Sequence, residues 1–178
     1  MTYVSSITEE QIFTALRSWL IDAVGGQAVQ GFTNRVSTPK GGFIAMSGLV
    51  KQTMSANRRA FVQPVNPSTV GEWRNEKSID YNIQLDVYGP TSGNWASILA
   101  VAFASDRAWS FFNNLLPGLA PLYMEDARQS PIVTGEQQYD KRWSIVAHIQ
   151  FNPSITDVQQ SAVEVVAGIF DVEAIYPV

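Results

Sequence analysis

From Ser78 to Val87 polar and apolar side chains alternate without a break, in the run SIDYNIQLDV. Successive side chains on a β-strand point to opposite faces, so a period of two sorts this segment into one apolar face and one polar face. Ile79, Tyr81, Ile83, Leu85 and Val87 form the first; Ser78, Asp80, Asn82, Gln84 and Asp86 form the second. A helix would scatter both sets around its circumference. The chain must therefore build a sheet with one face against a core, while the other face is wet or meets something polar. Gly89-Pro90 ends the strand.

What covers the apolar face is also legible. Thr8 is a good N-cap, Gln11 stands three residues on as its capping-box partner, and Glu9 and Glu10 favour the positive end of a helix. Ile12, Phe13, Leu16, Trp19, Leu20, Ala23 and Val24 then recur at helical spacing until Gly25-Gly26 stops them. A second helix is expected from Asn94 as its cap, through Trp95, Ile98, Leu99, Ala102 and Phe103, to Asn113-Asn114 and Pro117-Gly118. Strands are expected near 28–32 and over 43–50, continuing as strand or wide hairpin through the polar stretch to about 63, over 122–129 and 138–151, and in the β-branched tail from 161. Residues 65–76 read as a long loop. Strands grouped together, with helices between groups, predict an α+β fold: a mostly antiparallel sheet packed with two main α-helices, as one domain over 1–178. A chain of 178 residues can bury such a core unaided.

The stretch 121–153 collects Arg, Gln, Glu, Asp, Tyr, Trp and the chain's single histidine, and so resembles an active site. Asp140, Ser144 and His148 share one strand face. Residues four apart on a strand are, however, roughly 13 Å apart at about 3.3 Å per residue, whereas a nucleophile and its base need about 3 Å. No GxSxG elbow and no second histidine are present. His148 is read instead as a polar residue on the outer face of its strand. Cysteine is absent, which removes thiolate chemistry, disulfides and Cys-type metal sites. Glu125 and Asp126 are adjacent and point to opposite faces, so they do not converge on an ion. The glycine pairs make neither GxGxxG nor GxxxxGK[ST]. No enzyme, metal or cofactor is expected. Trp19, Trp95 and Trp109 are read as helix core, and Trp73, in the loop, as an interface aromatic.

Charge is unevenly placed. Between Ala23 and Gly71 there is no Asp or Glu, while Arg35, Lys51, Arg58 and Arg59, with Lys40, are all cationic. The net charge of −4 then leaves −9 on the remainder. Five cations over 49 residues are thin for nucleic-acid recognition. Contact between a basic segment and an acidic face of another copy accounts for the pattern better. The charged fraction, 16%, is low beside the roughly 25% of ordinary soluble chains, which also suits surface buried in an assembly. Interface candidates are Arg35, Lys51, Arg58, Arg59, Trp73, Arg74, Asp140, Arg142 and His148. No apolar run approaches the roughly 20 residues that span a membrane, and the start MTYVSSITEEQIF lacks a leader's features, so the protein is expected to be soluble and unprocessed.

Several short blocks, in order, carry a resemblance: Asn34-Arg35-Val36 with Pro39, Asp86-Val87-Tyr88-Gly89, Pro121-Leu122-Tyr123, Gln129-Ser130-Pro131, Gly135-Glu136-Gln137-Gln138-Tyr139, Arg142-Trp143 and Gln150-Phe151-Asn152. From about residue 10 to the end the chain resembles the neck or tail-terminator proteins of long-tailed phages. The resemblance implies a structural virion protein, assembled in the host cytoplasm. It would form a homohexameric ring that caps the tail tube, stops its growth and joins the tail to the head connector, with the sheath a further candidate neighbour. DNA would pass through its lumen without sequence recognition. It implies no catalytic residues. The alternatives are another head–tail adaptor of the neck, a small enzyme, or a monomeric binding module.

Overall fold

The computed structural model describes residues 3–31, 39, 41–62, 71–130, 132–133 and 139–159, with backbone alone at 132–133, 139–140 and 159. Its elements are α1 (Glu9–Val24), β1 (Gln27–Gln30), β2 (Phe43–Thr53), β3 (Arg58–Val62), β4 (Gly71–Glu76), β5 (Ile79–Tyr88), α2 (Ser92–Ala102), α3 (Asp106–Leu115), β6 (Leu119–Met124), β7 (Arg128–Gln129), β8 (Ile132–Val133), β9 (Tyr139–Asp140), β10 (Arg142–Phe151) and β11 (Ser154–Gln159). This is an α+β fold with a mostly antiparallel sheet, as expected.

The alternating strand organises everything else. β5 lies at the centre of a sheet ordered β1-β2-β5-β10-β6, with β7 also on β10, and only the β1–β2 pair is parallel. Leu85 stands opposite Met46 on one side and Ile145 on the other, so the apolar sets of three strands fall on one face. Ile44, Met46, Ile83, Leu85, Val87, Ala147 and Ile149 are all fully buried there. The three helices cover that face. α1 contributes Ile12, Leu16, Trp19 and Leu20, and Trp19 meets Phe103 at 5.2 Å and Phe112 at 5.9 Å between ring centroids. The capping box forms as predicted: Gln11 N–H donates to Thr8 Oγ1 (3.3 Å) and Thr8 N–H donates to Gln11 Oε1 (2.8 Å). Gly25 closes α1 at φ 68°, a left-handed conformation that a side chain disfavours.

β2, β5 and β10 do not stop at the edge of the core. Beyond a break at 54–57, 77–78 and 152–153, each runs into a strand of a second sheet, ordered β11-β4-β3. The breaks are tied across by Met54 N–H to Ser78 O (2.9 Å) and Lys77 N–H to Pro153 O (3.3 Å). β3 thus follows the β2 side and β11 the β10 side.

Four expectations are corrected. The second helix is two helices, and Asn94 is not its cap: α2 starts after Thr91, and Ser105 ends the run by donating to Ala102 O (2.6 Å) while accepting from Ala108 N–H (3.2 Å) as the cap of α3. The apolar spacing crosses this break, which hid the Ser105-Asp106 start signal. Trp109 is 53% exposed, not core. Residues 71–76 of the expected loop are β4, so Trp73 sits on a strand; residues 65–70 lie outside the described ones. The expected strand at 122–129 is two, β6 and β7, separated by residues 125–127; a shift of register between His148 and Ile149 lies within the β10–β6 pairing. The expected tail strand from 161 lies outside the described residues, and β11 went unread.

Candidate functional site

Among the described residues, the three-stranded sheet has little to lie against. Every residue of β3 is exposed, and Phe61 (39%), Val62 (47%) and Val158 (61%) are large apolar side chains in water. Three strands need a hydrophobic face or a helix to pack on for independent stability, and among the described residues these are tied to β2, β5 and β10 by chain continuity. Register divides the sheet's residues. Arg59, Phe61, Trp73, Asn75, Ile155 and Asp157 share one face; Arg58, Ala60, Val62, Arg74, Glu76, Thr156 and Val158 share the other.

On the first face the Arg59 guanidinium lies 4.1 Å over the Trp73 ring, and Phe61 meets Trp73 edge-on at 5.2 Å. Asn75 donates to Asp157 (3.1 Å). On the second, Glu76 accepts from Arg58 (3.2 Å) and lies 3.6 Å from Arg74. Four of the nine sequence candidates, Arg58, Arg59, Trp73 and Arg74, are therefore gathered on one small sheet. Arg and Trp are the residue types that most often dominate interface energetics.

Lys51 is elsewhere, at the exposed end of β2. It donates to Glu9 Oε2 (2.7 Å) and lies 4.6 Å over the Tyr81 ring, while Tyr81 Oη donates to Glu9 Oε1 (2.8 Å). Gly48 leaves room for that hydroxyl, since any Cβ there would collide with Tyr81 Oη. The bond from Lys51, and then that from Tyr81, lowers the Glu9 pKa below the usual carboxyl range; burial first, and then Glu9, raises that of Tyr81. Arg35 and the Asp140 side chain lie outside what is described.

Arg142 and His148 belong to a different region, the polar face of the six-stranded sheet. That face is buried in part: Asp80, Asn82, Asp86, Ser47 and His148 are all under 10% exposed. His148 is on the predicted face but is not an outward-pointing residue, because its neighbours enclose it. Asp80 Oδ2 lies 2.8 Å from Nδ1 and Glu125 Oε1 3.3 Å from Nε2, while the Tyr123 ring stacks on the imidazole at 4.2 Å. Farther along, Ser144 donates to Asp86 (2.5 Å), Gln84 donates to the same carboxylate (2.9 Å), and Arg142 donates to Ser130 (3.1 Å).

Ser144 and His148 are thus committed to different carboxylates, Asp86 and Asp80. Glu125 and Asp80 hold opposite nitrogens of one ring and so do not converge on an ion; among the described residues no cluster of three or more acidic or histidine side chains is placed to bind a metal. A groove of about 420 Å³ between α1 and the end of α3 has Glu10 as its one charged lining residue among the described residues. What sequence reasoning missed is the enclosure of His148. Its signal was present in the alternation, because Asp80, Asn82 and Asp86 stand on the very face where His148 and Ser144 arrive from β10.

A family model described as phage neck terminator protein matches residues 10–174. No curated protein matches the chain.

Proposed function

The chain belongs to the phage neck terminator protein family, and on that premise we propose that it is a structural virion component, a ring that ends the tail tube and joins the tail to the head connector. The match over residues 10–174 carries this reading, because it spans every described helix of the fold except the first residue of α1 and every described strand. Family membership points to a structural rather than an enzymatic role. It also places the protein at the phage neck or tail, and no described helix is long and apolar enough to cross a membrane.

The physics of ring closure favours the same role. A closed ring of identical copies needs two different surfaces on each copy that fit each other after a rotation. The exposed three-stranded sheet supplies one of them, with Arg58, Arg59, Trp73 and Arg74 as contact residues. A lumen must not hold DNA tightly if DNA is to pass, so these cations serve neighbours rather than nucleic acid. The ring contains about six copies and takes the tail tube and connector proteins as partners.

The test is the mass of the purified protein by light scattering across salt and concentration, alone and with tail tubes, with negative-stain images of the largest species. Closed rings near six copies are expected. Reversing charge at Arg58 and Arg59 should weaken assembly in a salt-sensitive manner. A protein that remains monomeric even on tail tubes contradicts the proposal.

A further inference from the structure

The buried polar cluster around His148 has a physical cost that the fold alone does not require. Taking an acid and a histidine out of water is expensive unless their partners are well placed, and a Leu or Val pair would fill the same space. What the cluster holds is at the surface. Tyr123 lies flat against the imidazole with its outer side exposed (51%), and Glu125, anchored at Nε2, stands beside it. Glu125 N–H donates to Val146 O (2.9 Å), which fixes the backbone where β6 leaves the sheet. Asp126 follows, exposed.

Residues 125–127 lie between β6 and β7, so strand alternation does not set Glu125 and Asp126 on opposite faces as expected. An aromatic face and a positioned carboxylate, with a second carboxylate next in the chain, make a corner suited to arginine: the ring attracts the guanidinium plane and the carboxylates take its N–H groups. The nearest chemical match is on the chain itself. β3 presents Arg58, with 76% of its side chain exposed, on the face opposite Arg59, which is stacked over Trp73. Arg58's bond to Glu76 is a surface pair of little net strength, so it can be exchanged. Placement agrees. β3 prolongs the β2 side of the sheets, whereas β6 lies beyond β10 on the other side, so within the strand order the two features occupy opposite flanks.

We propose that Tyr123, Glu125 and Asp126 form a docking corner for Arg58 of a second copy, with His148 and Asp80 as the positioning residues that hold the corner in shape. The inference rests on the ring reading and names its two mating surfaces. Because they lie on opposite flanks, the contact is head-to-tail and propagates around a ring.

Charge exchange tests it on the full chain. Arg58→Glu, and separately Glu125→Lys with Asp126→Lys, should each weaken self-association at least about tenfold, the loss shrinking at high salt. Mixing the two variants, or combining all three changes in one chain, should restore it. Should Glu125→Lys unfold the chain through His148, as circular dichroism would show, Asp126→Lys alone carries that arm. His148→Ala should weaken association in a way that neither salt nor charge exchange repairs. If wild type forms rings and the reversed variants do so equally well, or the exchange restores nothing in folded chains, the corner is wrong while the ring reading stands. If wild type forms no ring, even on tail tubes, both fall.

Discussion

The two sheets are made by the same three runs of chain, and they are treated oppositely by the rest of the molecule. β2, β5 and β10 build the first sheet, whose apolar face disappears under three helices; β3, β4 and β11 prolong those strands into a sheet where all five residues of β3 remain in water. In both, successive side chains point to opposite faces. The difference teaches that pairing gives a strand its two faces, while a helical layer decides whether a face becomes core. One sheet makes the fold; the other is the surface proposed to meet a neighbour.

This contrast can be broken by substitution. The largest effect is expected at Leu85, which is fully buried between Met46 and Ile145: Leu85→Ala should cost about 2–5 kcal/mol, seen as a lower urea midpoint with little change in slope. Phe61→Ala on β3 should cost the monomer well under that, about 1 kcal/mol or less, and should act on assembly instead. Equal losses at the two sites would erase the distinction between the sheets.

The polar face offers an intermediate case. Asp80→Ala removes the partner of His148 Nδ1 and leaves a buried ring nitrogen without its bond, for about 1–3 kcal/mol of stability. Thr8→Ala, at the start of α1, deletes the capping box and should cost about 1 kcal/mol.

The smallest effect concerns Glu9, where α1 is pinned to the outer end of β2. Its folded pKa is lowered, by Lys51 first, so the charged form is favoured in the native state. The resulting stability is present above the unfolded value of about 4.3 and is lost as pH falls through the folded value below it. A urea midpoint that drops more steeply below about pH 4.3 in wild type than in Glu9→Gln is the expected outcome; parallel curves would show that the Glu9 contacts contribute nothing.

Much of the first sheet could be read from sequence because its signals are local. The SIDYNIQLDV alternation, the Thr8 to Gln11 capping box and the Gly25-Gly26 stop each act within a few residues, and each is found where expected. The break at Ser105 was missed because apolar spacing ran through it, and β4 because its sequence, GEWRNE, lacks the apolar set that marks a strand facing a core. That second failure is itself informative: a strand with no core to face carries no core signature. The gathering of Arg58, Arg59, Trp73 and Arg74 on one sheet, and of Tyr123, Glu125, His148 and Asp80 at one corner, depends on pairings between strands far apart in the chain, which spacing alone does not encode.

Amide hydrogen exchange, compared between the monomer and the assembled protein, tests the central claim most directly. The account predicts that amides of 58–62 become protected on assembly, along with those near 123–126, while amides of 79–88, already in the core sheet, exchange at unchanged rates. An assembled particle in which 58–62 exchange as fast as in the monomer would contradict it, since the exposed sheet would then not be the surface that copies share.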